Sequence, residues 1–221
     1  MVALFVIGTF LTFLIIDFFV KRSSEKSSTR VQAVPISQKF LIPRGYFFNP
    51  RHSWVELLGN GMARVGIDDF SQKVIGTIDK ASPVFLNSVV KKGEPMMTIS
   101  QGERTMTFTA PLTGRVVEVN ESIQETPGIL NTDPYFGGWV AVIEPENLGS
   151  EIKSFTLADE AAQWLRQEVT RFREFINIRS PQLALAGRTM LDGGVPLTGT
   201  LKDAPDSDWK AFEEEFLKET R

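Results

Sequence analysis

The chain has 221 residues, 42% of them hydrophobic and 23% charged, with a net charge of −3. That is enough apolar material for a core of modest size, and it lacks the basic field that non-specific nucleic-acid binding requires, so no nucleic-acid partner is expected. Cysteine is absent, which excludes disulfides, thiolate metal sites and a cysteine nucleophile.

Val2 to Val20 reads VALFVIGTFLTFLIIDFFV, with Asp17 as its one charge. As a helix rising ~1.5 Å per residue it would be about 28 Å long, close to the hydrocarbon thickness of a bilayer. Nothing basic precedes the run and Lys21 and Arg22 follow it, the pattern of an uncleaved anchor and not of a signal peptide. Basic residues on the C-terminal side favour keeping that side in the cytoplasm. The expectation is a single-pass membrane protein, N-terminus out and globular part in, anchored by residues 1–22. Residues 23–39 are rich in serine and charge without apolar periodicity and read as a linker.

From 40 to 151 the pattern changes to short β-branched or aromatic runs: Trp54 to Leu58, Met62 to Ile67, Met96 to Ile99, Thr105 to Thr109, Arg115 to Asn120 and Trp139 to Ile143. Gly59-Asn60-Gly61 is a hairpin signal, because Gly and Asn accept the positive φ of tight turns. Many short strands at this spacing predict a mainly β domain, a sandwich or flattened barrel.

Six motifs follow one another in this stretch: His52-Ser53-Trp54-Val55, Val65-Gly66-Ile67-Asp68-Asp69-Phe70, Gly76-Thr77-Ile78, Val90-Lys91-Lys92-Gly93-Glu94-Pro95, Pro111-Leu112-Thr113-Gly114 with the run to Asn120, and Asn131-Thr132-Asp133-Pro134-Tyr135 with Gly138-Trp139. In this order they resemble the glycine cleavage H-protein family. The first two are similar to its opening strands, and the next two to its next strand and basic turn. The resemblance implies a lipoyl/biotinyl-type hammerhead of two small sheets, with short helices. It also implies a lysine on an exposed hairpin that carries lipoate as a swinging arm between enzyme subunits.

Counted back without gaps from Pro111, the stretch that matches the lipoyl hairpin is Ser100-Gln101-Gly102-Glu103, which puts Glu103 at the lysine position and Arg104 beside it. Lipoate is held as an amide of a lysine amine; a carboxylate cannot accept it, and a guanidinium is no acyl acceptor. No lysine lies between Lys92 and Lys153. The lipoyl site therefore reads as degenerate, and no cofactor is expected. The polar tip, Glu103 and Arg104 above all, is a candidate surface for docking a partner.

No nucleophile elbow, phosphate loop or metal-spaced cluster is present, so catalytic residues and metal ligands are expected to be none and the chain not an enzyme. His52, the one histidine, reads as structural. Adjacent Asp68 and Asp69 would point to opposite faces of an extended segment and form no working pair.

Residues 152–178 predict an amphipathic helix: Leu157, Ala161, Trp164, Leu165, Val169, Phe172 and Ile176 fall on one stripe, with Thr156 placed to cap it. Residues 179–221 read as a Gly/Pro-containing loop and a short helix capped by Asp206 or Ser207. Its aromatic face of Trp209, Phe212 and Phe216 would pack on its own domain or bind another protein. The favoured function is a non-catalytic, membrane-tethered module serving as scaffold or accessory subunit of a membrane-associated complex. The alternative is a lipoyl-dependent carrier of glycine cleavage or a related one-carbon or redox pathway. Expected partners are the membrane and other protein subunits.

Overall fold

The structure, a computed structural model, describes residues 40–183 and 198–218. The apolar run from Val2 to Val20, Lys21, Arg22, the linker 23–39 and the glycines at 187, 193 and 194 lie outside the described residues. Among the described residues no helix is long and apolar enough to cross a membrane.

Among the described residues ten strands make two antiparallel sheets. The larger contains β1 (Tyr46–Asn49), β2 (Ser53–Leu57), β3 (Ala63–Ile67), β5 (Val89–Val90), β8 (Gly114–Val119), β9 (Trp139–Pro145) and β10 (Thr156–Leu157), in the order β10-β1-β2-β3-β9-β8-β5. The smaller contains β4 (Lys80–Pro83), β6 (Pro95–Gln101) and β7 (Arg104–Thr109), in the order β4-β6-β7. The sheets are thus unequal, seven strands against three. Between the strands lie α1 (Asp69–Ile75) and the single turns α2 (Ser122–Glu125), α3 (Ile129–Thr132) and α4 (Leu148–Glu151). The 22-residue α5 (Ala158–Arg179) follows β10, and α6 (Asp206–Phe212) runs into a π-helical turn, Glu213–Leu217.

The Gly59-Asn60-Gly61 segment closes the β2–β3 hairpin as its composition predicts, with Leu58 N–H donating to Met62 O (2.9 Å) and Gly61 at φ +82°. Across that hairpin Trp54 pairs with Gly66. A Cβ on Gly66 would stand 2.4 Å from the Trp54 ring, so the glycine is the space the indole occupies. Trp54 Nε1 donates to Ile67 O (2.8 Å), which satisfies the buried indole N–H. Tyr46-Phe47-Phe48-Asn49 forms β1, which the strand pattern did not bring out; it is held between β2 and β10.

Four local expectations are corrected. Asp68 and Asp69 open helix α1 and not an extended segment: Asp68 accepts from Ser71 N–H at 2.8 Å as its N-cap. Gly76-Thr77-Ile78 is a connector, with the strand starting at Lys80. Thr156 does not cap α5. It pairs with Phe48 in β10 and Leu157 takes the N-cap position without a side-chain hydrogen bond, because the chain spends those residues extending the sheet. Likewise neither Asp206 nor Ser207 caps α6; the cap position is Pro205.

Residues Ala161, Leu165, Val169, Phe172 and Ile176 of α5 are buried as the stripe predicts. With Phe70, Phe212 and Phe216 they extend one continuous core from the sheets into the C-terminal helices. Phe172, Phe175, Phe212 and Phe216 are mutually in ring contact at 4.8–6.4 Å. The π-helical turn widens the helix by one residue per turn, which lets adjacent Phe216 and Leu217 both bury fully.

Candidate functional site

Residue 103 sits at the tip of the β6–β7 hairpin, where Gln101 pairs with Arg104 and Gly102-Glu103 form a two-residue loop. Gly102 has φ +60°, the positive value a type II′ turn needs at its first loop position. Both Gly102 and Glu103 are exposed.

Behind the tip the hairpin is strapped on two sides. On one, Gly102 N–H donates to Asp79 Oδ2 (2.7 Å). Buried Gln101 donates its amide to Ile75 O (3.1 Å) and Thr77 O (2.7 Å). On the other, the C-terminal segment runs along β7. Arg104 donates to the carbonyls of Leu201 (3.2 Å), Ala204 (3.1 Å) and Lys202 (2.9 Å), and its guanidinium lies 5.3 Å from the Trp209 ring centroid. Three converging carbonyls are a natural seat for a planar fork of five donors, which an ammonium could not fill in the same way. Trp209 Nε1 donates to Thr105 O (2.7 Å), Thr107 N–H to Glu213 Oε1 (3.2 Å) and Thr109 Oγ1 to Leu217 O (3.3 Å). Farther back, Gly199 N–H donates to Lys73 O (2.7 Å) and Leu201 N–H to Val74 O (2.9 Å).

This geometry sorts the partner-docking candidates. Glu103 presents its carboxylate to solvent, with Ser100 half-buried behind it. Arg104 does not face outward: it is engaged by the protein's own C-terminal segment. Trp209 (2% exposed), Phe212 and Phe216 (both 0%) lie in the core and offer no surface to another protein, because β7 and α5 supply the apolar cover that a short helix needs. Asp79 is a strapping residue that sequence reasoning passed over, and Gln101 was read only as part of the polar tip; each acts through a backbone atom more than twenty residues away, which no local pattern encodes.

His52 is fully buried beneath α5, at φ +59°, stacked 4.7 Å from Phe70. Its Nδ1 lies 2.7 Å from Asp68 Oδ2, and its Nε2 lies 3.5 Å from Glu168 Oε2, an ion-pair distance without hydrogen-bond geometry. Burial alone would lower the imidazole pKa, but the charge and hydrogen bond of Asp68, joined by Glu168, outweigh it and push the value up to about 9. Burial likewise opposes ionisation of Glu168, yet His52 and Arg171 hold its carboxyl below the usual range. The histidine is a charged tie between the β2 turn and α5, in line with a structural role. No group of three or more metal-ligating side chains occurs among the described residues.

A family profile described as "Glycine cleavage H-protein" matches residues 46–168, more than half of the chain. A probable glycine cleavage system H protein of Pyrococcus abyssi is 34% identical over 128 residues, covering 58% of this chain and 95% of that protein. Glycine cleavage system H protein 4 of Aquifex aeolicus is 34% identical over 137 residues, 62% of this chain and 79% of its own. A crystal structure of a glycine cleavage system H protein from Mycobacterium marinum shares the fold, with a TM-score of 0.50 at 24% identity, covering 57% of this chain and 98% of that one. The profile match stops inside α5, so the rest of that helix and the segment that seats Arg104 lie beyond it. The strand order, the hairpin and these matches together place the chain in the glycine cleavage H-protein family.

Proposed function

We propose that this chain is a non-catalytic H-protein-like module, not lipoylated, held at a membrane by its N-terminal apolar segment and serving as an accessory or scaffold subunit of a membrane-associated complex. The observation that carries the reading is the hairpin tip. Its loop is Gly102-Glu103, and no lysine occurs between Lys92 and Lys153. The residues present do not fit an amide-linked lipoyl group: a carboxylate offers no amine, and Arg104 is committed to three carbonyls of the C-terminal segment. That segment also covers β7 through Trp209 and the π-helical turn. A swinging arm needs a free base, whereas this hairpin is strapped from both sides.

A rigid tip ending in an exposed carboxylate is suited to recognition by a cationic surface of a partner subunit. Docking there would use the same projection of the fold without a transfer step. The nineteen-residue apolar run with Lys21-Arg22 behind it supports membrane tethering, and the charge rule supports a cytoplasmic domain.

The test is the intact mass of the protein purified in detergent from its native membranes, with co-purifying chains identified in the same preparation. An unmodified mass with stoichiometric partner chains is the expected result. A mass increase of one lipoyl group overturns the proposal. It would move the acceptor to a lysine off the tip, such as Lys80, which pairs with Ser100 across β4 and β6.

A further inference from the structure

The β4–β5 loop and the start of β5 expose apolar side chains that no described residue covers. Phe85 is 85% exposed, Leu86 55% and Val89 62%. Beside them Val117 (37%) is pushed out where the β8–β9 register shifts between Val116 and Glu118. The loop is braced. Phe85 O accepts from Ser88 Oγ (2.6 Å) and Ser88 N–H (3.2 Å), Asn87 N–H donates to Val116 O (2.9 Å), and Val116 N–H donates to Ser88 O (2.8 Å). Asn87 takes φ +63° to make the corner. Phe85 and Leu86 are therefore held outward at the end of the seven-stranded sheet by its edge strand, β5, and by β8.

We infer that this loop is a membrane-contact wedge, whose side chains enter the interfacial layer of the bilayer that anchors the chain; the inference rests on the tethered reading above. Area decides between a bilayer and a protein partner. Four such side chains expose on the order of a few hundred Å², well short of the roughly 800 Å² per partner that a stable protein interface buries. A tethered domain needs far less. The nineteen residues from Lys21 to Lys39 reach at most about 65 Å, so the wedge is confined near the surface and a weak contact suffices. Arg115, which pairs with Val89 across β5 and β8, is neutralised by Glu144 at 2.6 Å, and Lys92 is turned away to Glu151 O and Ser154 Oγ. The contact is therefore apolar and independent of anionic lipid.

The chain has no cysteine, so a single introduced thiol takes a fluorophore at one place. Full-length Leu86→Cys and Lys210→Cys, each labelled with an environment-sensitive dye, are reconstituted into neutral phosphatidylcholine vesicles containing acyl-chain nitroxide lipid. Residue 210 is exposed on α6, which packs against β7, at the opposite edge of the three-stranded sheet from β4. The dye at 86 is expected to be quenched at least twofold more than the dye at 210. Adding Phe85→Ser and Val89→Ser should abolish the difference. Equal quenching in chains that float with the vesicles overturns the wedge and leaves the tether standing. Chains that fail to float overturn both.

Discussion

Replacing Arg104 tests whether the C-terminal segment is fastened to the hairpin as the geometry indicates. Arg104→Ala removes three charge-assisted hydrogen bonds and the contact with the Trp209 face, and leaves the carbonyls of Leu201 and Ala204, both in buried residues, to find other donors. Hydrogen bonds to a charged group contribute a net ~1.5–3 kcal/mol each to stability. The side chain is 27% exposed and water can replace part of what is lost, so the sum is well below three full bonds. The pair with Asp206, which is 81% exposed, adds little. The expected loss is ~2–4 kcal/mol by urea denaturation. Arg104→Lys should recover only part of it, since an ammonium cannot span three carbonyls. Hydrogen exchange locates the effect: the amides of Leu201, Trp209 and Lys218 should lose protection while those of β2, β3 and β9 keep theirs. If Arg104→Ala costs no more than Lys210→Ala, or if protection falls evenly over the whole domain, the clamp is not what holds the segment.

Stability should depend on pH through the buried His52 tie. Its folded pKa of about 9 lies above the model-peptide value, so its contribution is complete below about pH 6.5 and is lost as pH rises through 9, ~3 kcal/mol in all; an equally steep profile in His52→Gln, measured by urea titration, would discount the tie. Glu168, held low, adds a loss at the acid end as pH falls below the usual carboxylate range, which Glu168→Gln should remove from the same profile. Gly66→Ala should destabilise the fold by ~3 kcal/mol or more, because the new methyl lands on the Trp54 ring; near-wild-type thermal unfolding would contradict that packing. Glu103→Lys in this exposed loop should leave stability within ~0.5 kcal/mol. Incubated with lipoate and a lipoate–protein ligase, the variant should gain one lipoyl mass where the parent gains none; no gain would mean that position 103 is not the acceptor position.

The strands that announced themselves are those with their own alternating or β-branched run. Trp54 to Leu58 was expected and Ser53–Leu57 is observed, a shift of one residue at each end. The two-residue strands β5 and β10 have no such run; they are strands only because Val90 meets Gly114 and Thr156 meets Phe48. Thr156 shows the conflict directly: a good capping residue before an acidic turn is claimed by the sheet edge. At the site, the absence of lysine between Lys92 and Lys153, on which the proposal rests, was legible because it is a property of the sequence alone. The fate of Arg104 was not, since its acceptors are main-chain carbonyls about a hundred residues away and carry no side-chain signature. The Asp68–His52–Glu168 tie was hidden for the same reason, its third member belonging to the polar side of a helix whose apolar stripe drew attention elsewhere.

The clamp also sets an order of events during synthesis. Arg104 and Thr105 are joined to residues 97 to 104 positions later in the chain. At ~5–20 residues per second, the hairpin leaves the ribosome on the order of 5–20 s before its cover is made. In that interval the sheets can fold with β7 still open along one side, and any factor that needs that side has access only then. Once Trp209 and the π-helical turn close over it, the nascent protein's window shuts.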